Sequence, residues 1–205
     1  MDSHKIITIG RQFGSGGKSI ANHLSELLGI KVFDRELLSK AGQEIGYGPE
    51  FFSDKDEKKS FLSLGIFGSN RFGKTTDNLL SDEELFKVQS DVIRKIASEG
   101  DAIFIGRASD YVLRDMHTLD VFISAPMEER IRNVAGRLSI SGDEAEKLIR
   151  RKDKSRSDYY NFYTFGDNWG VASNYDLCID SSILGFRGTA EFIIDFGRKC
   201  GYLGE

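Results

Sequence analysis

The stretch IITIGRQFGSGGKSI, residues 6–20, constrains the fold more than any other part of the chain. Its apolar-rich start, Ile6, Ile7, Thr8 and Ile9, has the composition of a buried strand. Gly10, Gly14, Gly16 and Gly17 then make a glycine-rich turn, and Lys18 and Ser19 open a helix. Strand, glycine turn and helix in that order build an anion site. The turn's backbone N–H groups and the positive end of the helix dipole converge on one place. A lysine there adds a point charge, and a hydroxyl can ligate Mg²⁺. A plain packing junction needs one or two glycines, and this one has four together with a Lys-Ser pair.

Two registrations of the loop are open. Reading G-x-x-x-x-G-K-[ST] backward from Gly17-Lys18-Ser19 puts Gln12 where the first glycine belongs. Aligning Gly14-Ser15-Gly16 with the G-S-G or G-A-G of nucleoside monophosphate kinases puts Gly17 at the lysine position. Lys18 then comes one residue late, and Ser19 takes the hydroxyl position.

Beyond the loop, short apolar runs alternate with helical patterns, which predicts an α/β fold with a parallel sheet and helices on both faces. Strands are expected at 5–9, 30–33, 102–105, 119–123 and 176–179. A helix over 18–28 carries Ile20, Ala21, Leu24, Leu27 and Leu28 on one face and stops at Gly29. Between the second and third strands lies an insertion of about residues 37–100. It ends in a helix over 81–99, with Ser81 and Glu84 as a capping box. Residues 54–78, with the charge run 54–59 and scattered glycines, read as a mobile loop, either an idle surface loop or a substrate lobe or lid. Pro126 is expected at the first position of a helix that breaks near Leu138 and Gly142, followed by another over 143–156.

At 205 residues the chain makes one domain, 1–205. A net charge of −4 argues against nucleic-acid affinity. Cys178 and Cys200 lack metal-ligand spacing, and no signal peptide or membrane-length apolar run is visible, so a cytoplasmic protein with reduced thiols is expected.

Four predicted strands end in Gly10-Arg11-Gln12, Asp34-Arg35, Gly106-Arg107 and Asp180-Ser181-Ser182. Ligands of open parallel sheets sit beyond the carboxyl ends of strands. Arg11, Arg35 and Arg107 are therefore expected at one edge as an anion site. Asp34 reads either as a helix N-cap or as a contact with substrate or the metal shell. The basic run of Lys147, Arg150, Arg151, Lys152, Lys154 and Arg156 reads as an arginine-bearing lid or a solvated helix face. The aromatic stretch 157–175 reads as base-stacking surface, lid packing, or the interface of a homodimer.

Several segments in order, G-S-G-G-K-S-I-A, V-F-D-R-E-L-L, I-F-I-G-R-A-S-D-Y-V-L, V-F-I-S-A-P-M-E-E-R, D-K-S-R-S-D-Y-Y and N-Y-D-L-C-I-D-S-S, resemble the cytidylate-kinase-like family of P-loop proteins. The resemblance covers nearly the whole chain and is weakest at about 45–80. It implies a three-layer P-loop kinase fold with a five-stranded parallel sheet, a small helical acceptor lobe and a lid at about 143–170. It also implies an enzyme that uses ATP and Mg²⁺ to phosphorylate a nucleoside monophosphate or another small acceptor. A non-catalytic nucleotide binder on the same fold is the alternative.

On that resemblance Gly14, Ser15, Gly16 and Ser19 match the phosphate loop that holds the donor; in a kinase Arg11, Gly17 and Lys18 are expected to join them, and Ser19 to ligate the metal. Asp34 matches the family's aspartate after strand two and Arg107 the arginine that holds the acceptor phosphate, and the strand-end Arg35 is expected with them on the acceptor side. Lys18, Arg107, Arg151 and Arg156 neutralise charge during transfer. Two residues depart from the family pattern: the loop lysine is displaced, and Ala108 stands where true cytidylate kinases carry the aspartate of G-R-D.

Overall fold

The computed structural model describes residues 4–44, 46, 82–165 and 167–204. Five strands form one parallel sheet: β1 (Ile6–Arg11), β2 (Lys31–Phe33), β3 (Ala102–Ile105), β4 (Leu119–Ser124) and β5 (Leu177–Asp180). Their order is β2-β3-β1-β4-β5, with β1 central. Ile9 pairs with Ile105 of β3 on one side and Val121 of β4 on the other. The chain steps over β3 to reach β2 and back over β1 to reach β4. The crevice at the carboxyl end of β1 is where such a sheet receives ligands.

Strand periodicity sorts the core into two faces. Ile7, Ile9, Ile103, Ile105, Val121 and Ile123 pack beneath α1 (Gly17–Leu28) and a long C-terminal helix. Ile6, Ala102 and Phe104 point the other way, against α2 (Arg35–Glu44) and α3 (Asp82–Glu99). α4 (Ser109–Val112) is a single turn that follows β3. α5 (Met127–Leu138) and α6 (Gly142–Tyr163) form a hairpin with its own small core of Val134, Ala145 and Ile149. α7 (Ser181–Lys199) closes the first face.

The expected strands all form, with ends shifted by one or two residues. α1 stops where expected: Gly29 adopts φ +70° and its N–H bonds Ser25 O at 2.9 Å. Two boundaries differ. Pro126 lies one position outside α5 as its N-cap, with ψ 148°, rather than inside it. α6 begins at Gly142 and runs to Tyr163, so the aromatic residues 159–163 are helical. Its start is a capping box, with Ser141 Oγ accepting from Glu144 N and Glu144 Oε2 accepting from Ser141 N. The 54–78 segment and the Ser81 cap fall outside the described residues.

Candidate active site

Gly14 (φ +87°) and Gly16 (φ +80°) are both left-handed, which glycine adopts without strain. Neither position has room for a side chain. A Cβ on Gly14 would lie 2.9 Å from the Arg130 carbonyl oxygen, and one on Gly16 would run into the Phe186 ring. Ser15 is fully buried and does not face a ligand through its side chain. Its Oγ lies 2.9 Å from Gln12 O and 3.1 Å from Ile123 O, and its carbonyl accepts from Ser181 Oγ at 2.7 Å. Asn133 Nδ2 donates to Gly14 O at 3.0 Å. With these carbonyls tied down, the loop presents the first-turn N–H groups of α1, which have no intrahelical acceptor.

Lys18 leaves this loop sideways. Its Nζ lies 2.8 Å from Asp34 Oδ2, and its side chain is 70% exposed. The hydrogen bond and the charge of Asp34 push the Lys18 ammonium above its ordinary pKa. Burial alone would raise the Asp34 carboxyl. The Lys18 bond and the N–H groups of Leu37 and Glu36 outweigh it and hold Asp34 below the usual range. Asp34 Oδ1 accepts from both N–H groups at 3.1 Å, so Asp34 is the N-cap of α2. Ser19 is exposed on the first turn of α1.

Beside the loop, between the sheet's carboxyl edge and α6, lies a cavity of about 200 Å³. Arg11, Arg35, Arg107, Lys152 and Arg156 line it. They arrive from the end of β1, the start of α2, the β3–α4 turn and α6. The structure thus brings together the three strand-end arginines and Arg156 of α6, while Arg151 sits exposed on α6 outside the lining. Three consecutive residues at the β3–α4 turn are left-handed: Gly106 (φ +70°), Arg107 (φ +62°) and Ala108 (φ +50°). For Arg107 and Ala108 this costs about 1–2 kcal/mol each, a strain of the kind that gathers at functional turns. The turn is clamped by Gly106 N to Ile9 O at 3.0 Å and Ser109 N to Gly106 O at 3.2 Å. It presents Arg107 over the Tyr159 ring, 5.6 Å from its centroid.

The far wall is aromatic, made of Tyr159, Tyr160, Trp169 and Tyr175. Ala108 is buried, and the cavity's carboxylates are Asp110, two residues later, and Asp158 of α6. Tyr160 Oη donates to Asp110 Oδ2 at 2.6 Å. Burial, aided by the Asp120 charge, pushes the Asp110 carboxyl up to about 6 despite the Tyr160 bond. The folded protein therefore holds the Asp110 proton more tightly than the unfolded chain does. Stability from this group is fully present below about pH 4 and is lost as pH rises through about 6. Asp110→Asn should flatten the stability profile over that window, removing a change of about 2–3 kcal/mol. Urea midpoints at several pH values check this, and an unaltered slope would contradict it.

α6 is fastened to the loop through a residue that sequence reasoning missed. Asp153 accepts from Phe13 N at 2.6 Å through Oδ1, while its Oδ2 pairs with the buried Arg130 guanidinium. Arg156 donates to Arg11 O at 3.0 Å and stands over the Phe13 ring at 5.3 Å. Asp153 is the single acid in the basic run, and that isolation was the available signal. Asp110 was the other omission, and Lys152 was named in the basic run without a role of its own. Lys152 stands one helical turn before Arg156, which places both on one face. Among the described residues, no group of three metal-ligating side chains occurs and no helix is long and apolar enough to cross a membrane.

A cytidylate kinase from Methanopyrus kandleri is 30% identical over 187 residues, covering 86% of this chain and 84% of that protein. The crystal structure of an uncharacterized protein from Eubacterium ventriosum superposes with a TM-score of 0.72 at 26% identity, covering 94% of this chain and 97% of its own. A gluconokinase from Sinorhizobium meliloti shares the fold alone, with a TM-score of 0.53 at 10% identity over 100% of both chains. The sequence profile of the cytidylate kinase-like family matches residues 6–183, and with the glycine loop at the end of a central parallel strand the chain belongs to that family.

Proposed function

We propose that this protein is an ATP- and Mg²⁺-dependent phosphotransferase whose acceptor is a small anion, a nucleoside monophosphate in the leading case. The carrying observation is the convergence of Arg11, Arg35, Arg107 and Arg156 on one cavity beside the glycine loop. Phosphoryl transfer asks a protein for positioning and positive charge rather than covalent chemistry. The loop N–H groups and the α1 dipole hold the donor phosphates. Arg35 and Arg107 bind the acceptor's phosphate, and the aromatic wall packs its base.

The donor set fits Mg²⁺. That ion keeps several waters and takes few protein oxygens beside the phosphates, and the exposed Ser19 hydroxyl on the first turn of α1 supplies one. When bound, the ion neutralises charge on the phosphate oxygens being transferred.

The decisive assay is ADP formation with ATP and Mg²⁺ across a panel of nucleoside monophosphates. CMP stands first because the Methanopyrus relative is a cytidylate kinase. Acceptor-dependent ADP formation is expected. Saturable ATP binding by calorimetry, with no turnover on any acceptor, would replace this reading with a non-catalytic nucleotide binder.

A further inference from the structure

We propose that Arg11 takes the place of the missing loop lysine and carries the positive charge that bridges the donor's terminal phosphate and the acceptor. This rests on the kinase reading and assigns a role within it.

Gly17 stands where a phosphate loop of this registration has its lysine. A Cβ on Gly17 would meet Arg11 Cγ at 2.8 Å and Arg11 Cβ at 2.9 Å. The stem of Arg11 therefore lies across the space from which a lysine at 17 would rise. A side chain at 17 and the present path of Arg11 exclude one another. Further along, the Arg11 guanidinium lies against Gly106, so that a Cβ on Gly106 would overlap its Nη1. Glycine at 106 thus serves both the left-handed turn and the passage of this side chain.

The Arg11 side chain consequently runs from its stem against Gly17, at the first turn of α1, to a guanidinium at the turn that carries Arg107. A transferring phosphoryl group must cross that gap. The backbone at Arg11 is held by Arg156 Nη1, 3.0 Å from its carbonyl oxygen, and the next N–H, of Gln12, bonds Ile123 O at 3.0 Å. Lys18, the loop's own lysine, has its ammonium on Asp34.

In the transfer step an acceptor phosphate oxygen bonds to the γ-phosphorus while the bond from phosphorus to the β,γ-bridging oxygen breaks. The electron pair stays on ADP, and no proton need move when the acceptor is a phosphate dianion. Negative charge shifts toward the bridging oxygen and spreads over the equatorial oxygens. A guanidinium presents a planar fork of donors that can bond two of those oxygens at once, which an ammonium cannot match in geometry.

The test is an exchange of positions. Binding of ATP and of ADP, each with Mg²⁺, is measured by calorimetry for the wild type, for Arg11→Gly and for the double variant Arg11→Gly/Gly17→Lys. Removing Arg11 opens the space that a lysine at 17 requires. The wild type should bind ATP more tightly than ADP. Arg11→Gly should shrink that preference about ten- to a hundredfold, the worth of a charged hydrogen bond or two. The double variant should recover it to within roughly threefold. Arg11→Met, which keeps the stem without the charge, should reproduce the loss if Arg11→Gly does not fold.

A wild type that binds neither nucleotide overturns the kinase reading and this assignment together. An ATP preference that survives in Arg11→Met, a wild type with no preference, or a loss the lysine at 17 does not repair overturns this assignment alone.

Discussion

Asp153→Ala should destabilise the protein by about 3–5 kcal/mol, the cost of breaking a buried ion pair by removing one partner. The Arg130 side chain is 7% exposed and its Nε has no hydrogen-bond partner even now. Without Asp153 it keeps the long bond to Phe13 O, at 3.5 Å from Nη1. The same substitution deprives Phe13 N of its acceptor, so the loop backbone loosens as well. For a domain of this size the melting temperature should fall by about 10 °C. Thermal denaturation checks this, and a loss below about 1 kcal/mol would mean that the pair is not buried in solution. Adding Arg130→Met should return a large part of the loss, because an apolar side chain in that space needs no partner.

Arg107→Ala should lower acceptor-dependent turnover by about a hundred- to a thousandfold, typical for removing a positioned charge from a transferring group. ATP binding should persist, because the glycine loop and Arg11 remain. Arg107→Gly sharpens the experiment. Residue 107 is left-handed, a conformation that costs glycine nothing. Arg107→Gly should therefore lose as much activity as the alanine variant while melting at the same temperature as the wild type or above it. Steady-state kinetics alongside thermal melts separate the two effects. Full turnover in either variant would remove Arg107 from the acceptor site.

Periodicity was enough to place the sheet, because β1, β3 and β4 are buried largely on both faces and read as near-continuous apolar runs. The convergence of Arg11, Arg35 and Arg107 was legible for a related reason. Each lies at or just beyond the end of a strand, and parallel strands all end at one edge. What resisted reading depended on distances across the chain. Asp153 meets Phe13 across 140 residues, and Tyr160 meets Asp110 across 50. No local pattern marks such pairs. The path of Lys18 was hidden too, since its choice between the phosphates and Asp34 depends on where β2 ends relative to α1. Ser15 matched the loop pattern in name, but its hydroxyl turned out to fasten the turn to β4. The start of α6 is a different case, as Ser141 and Glu144 are a capping signature in plain view.

The clustering of cations in one cavity also bears on how a charged molecule finds it. The chain carries 32 acidic and 28 basic residues, so its field at long range is that of a weak anion. Five of those basic side chains line the cavity against two acidic ones, Asp110 and Asp158. Charges are screened within roughly 8 Å at physiological salt. An approaching polyphosphate is therefore mildly repelled until it reaches the mouth, where the sign of the potential reverses. Diffusional encounter gains little from such a field, and capture is decided over the last few ångströms. Added salt weakens the outer repulsion along with the inner attraction, so the association rate should depend on ionic strength far less than it would for a protein whose whole surface is positive.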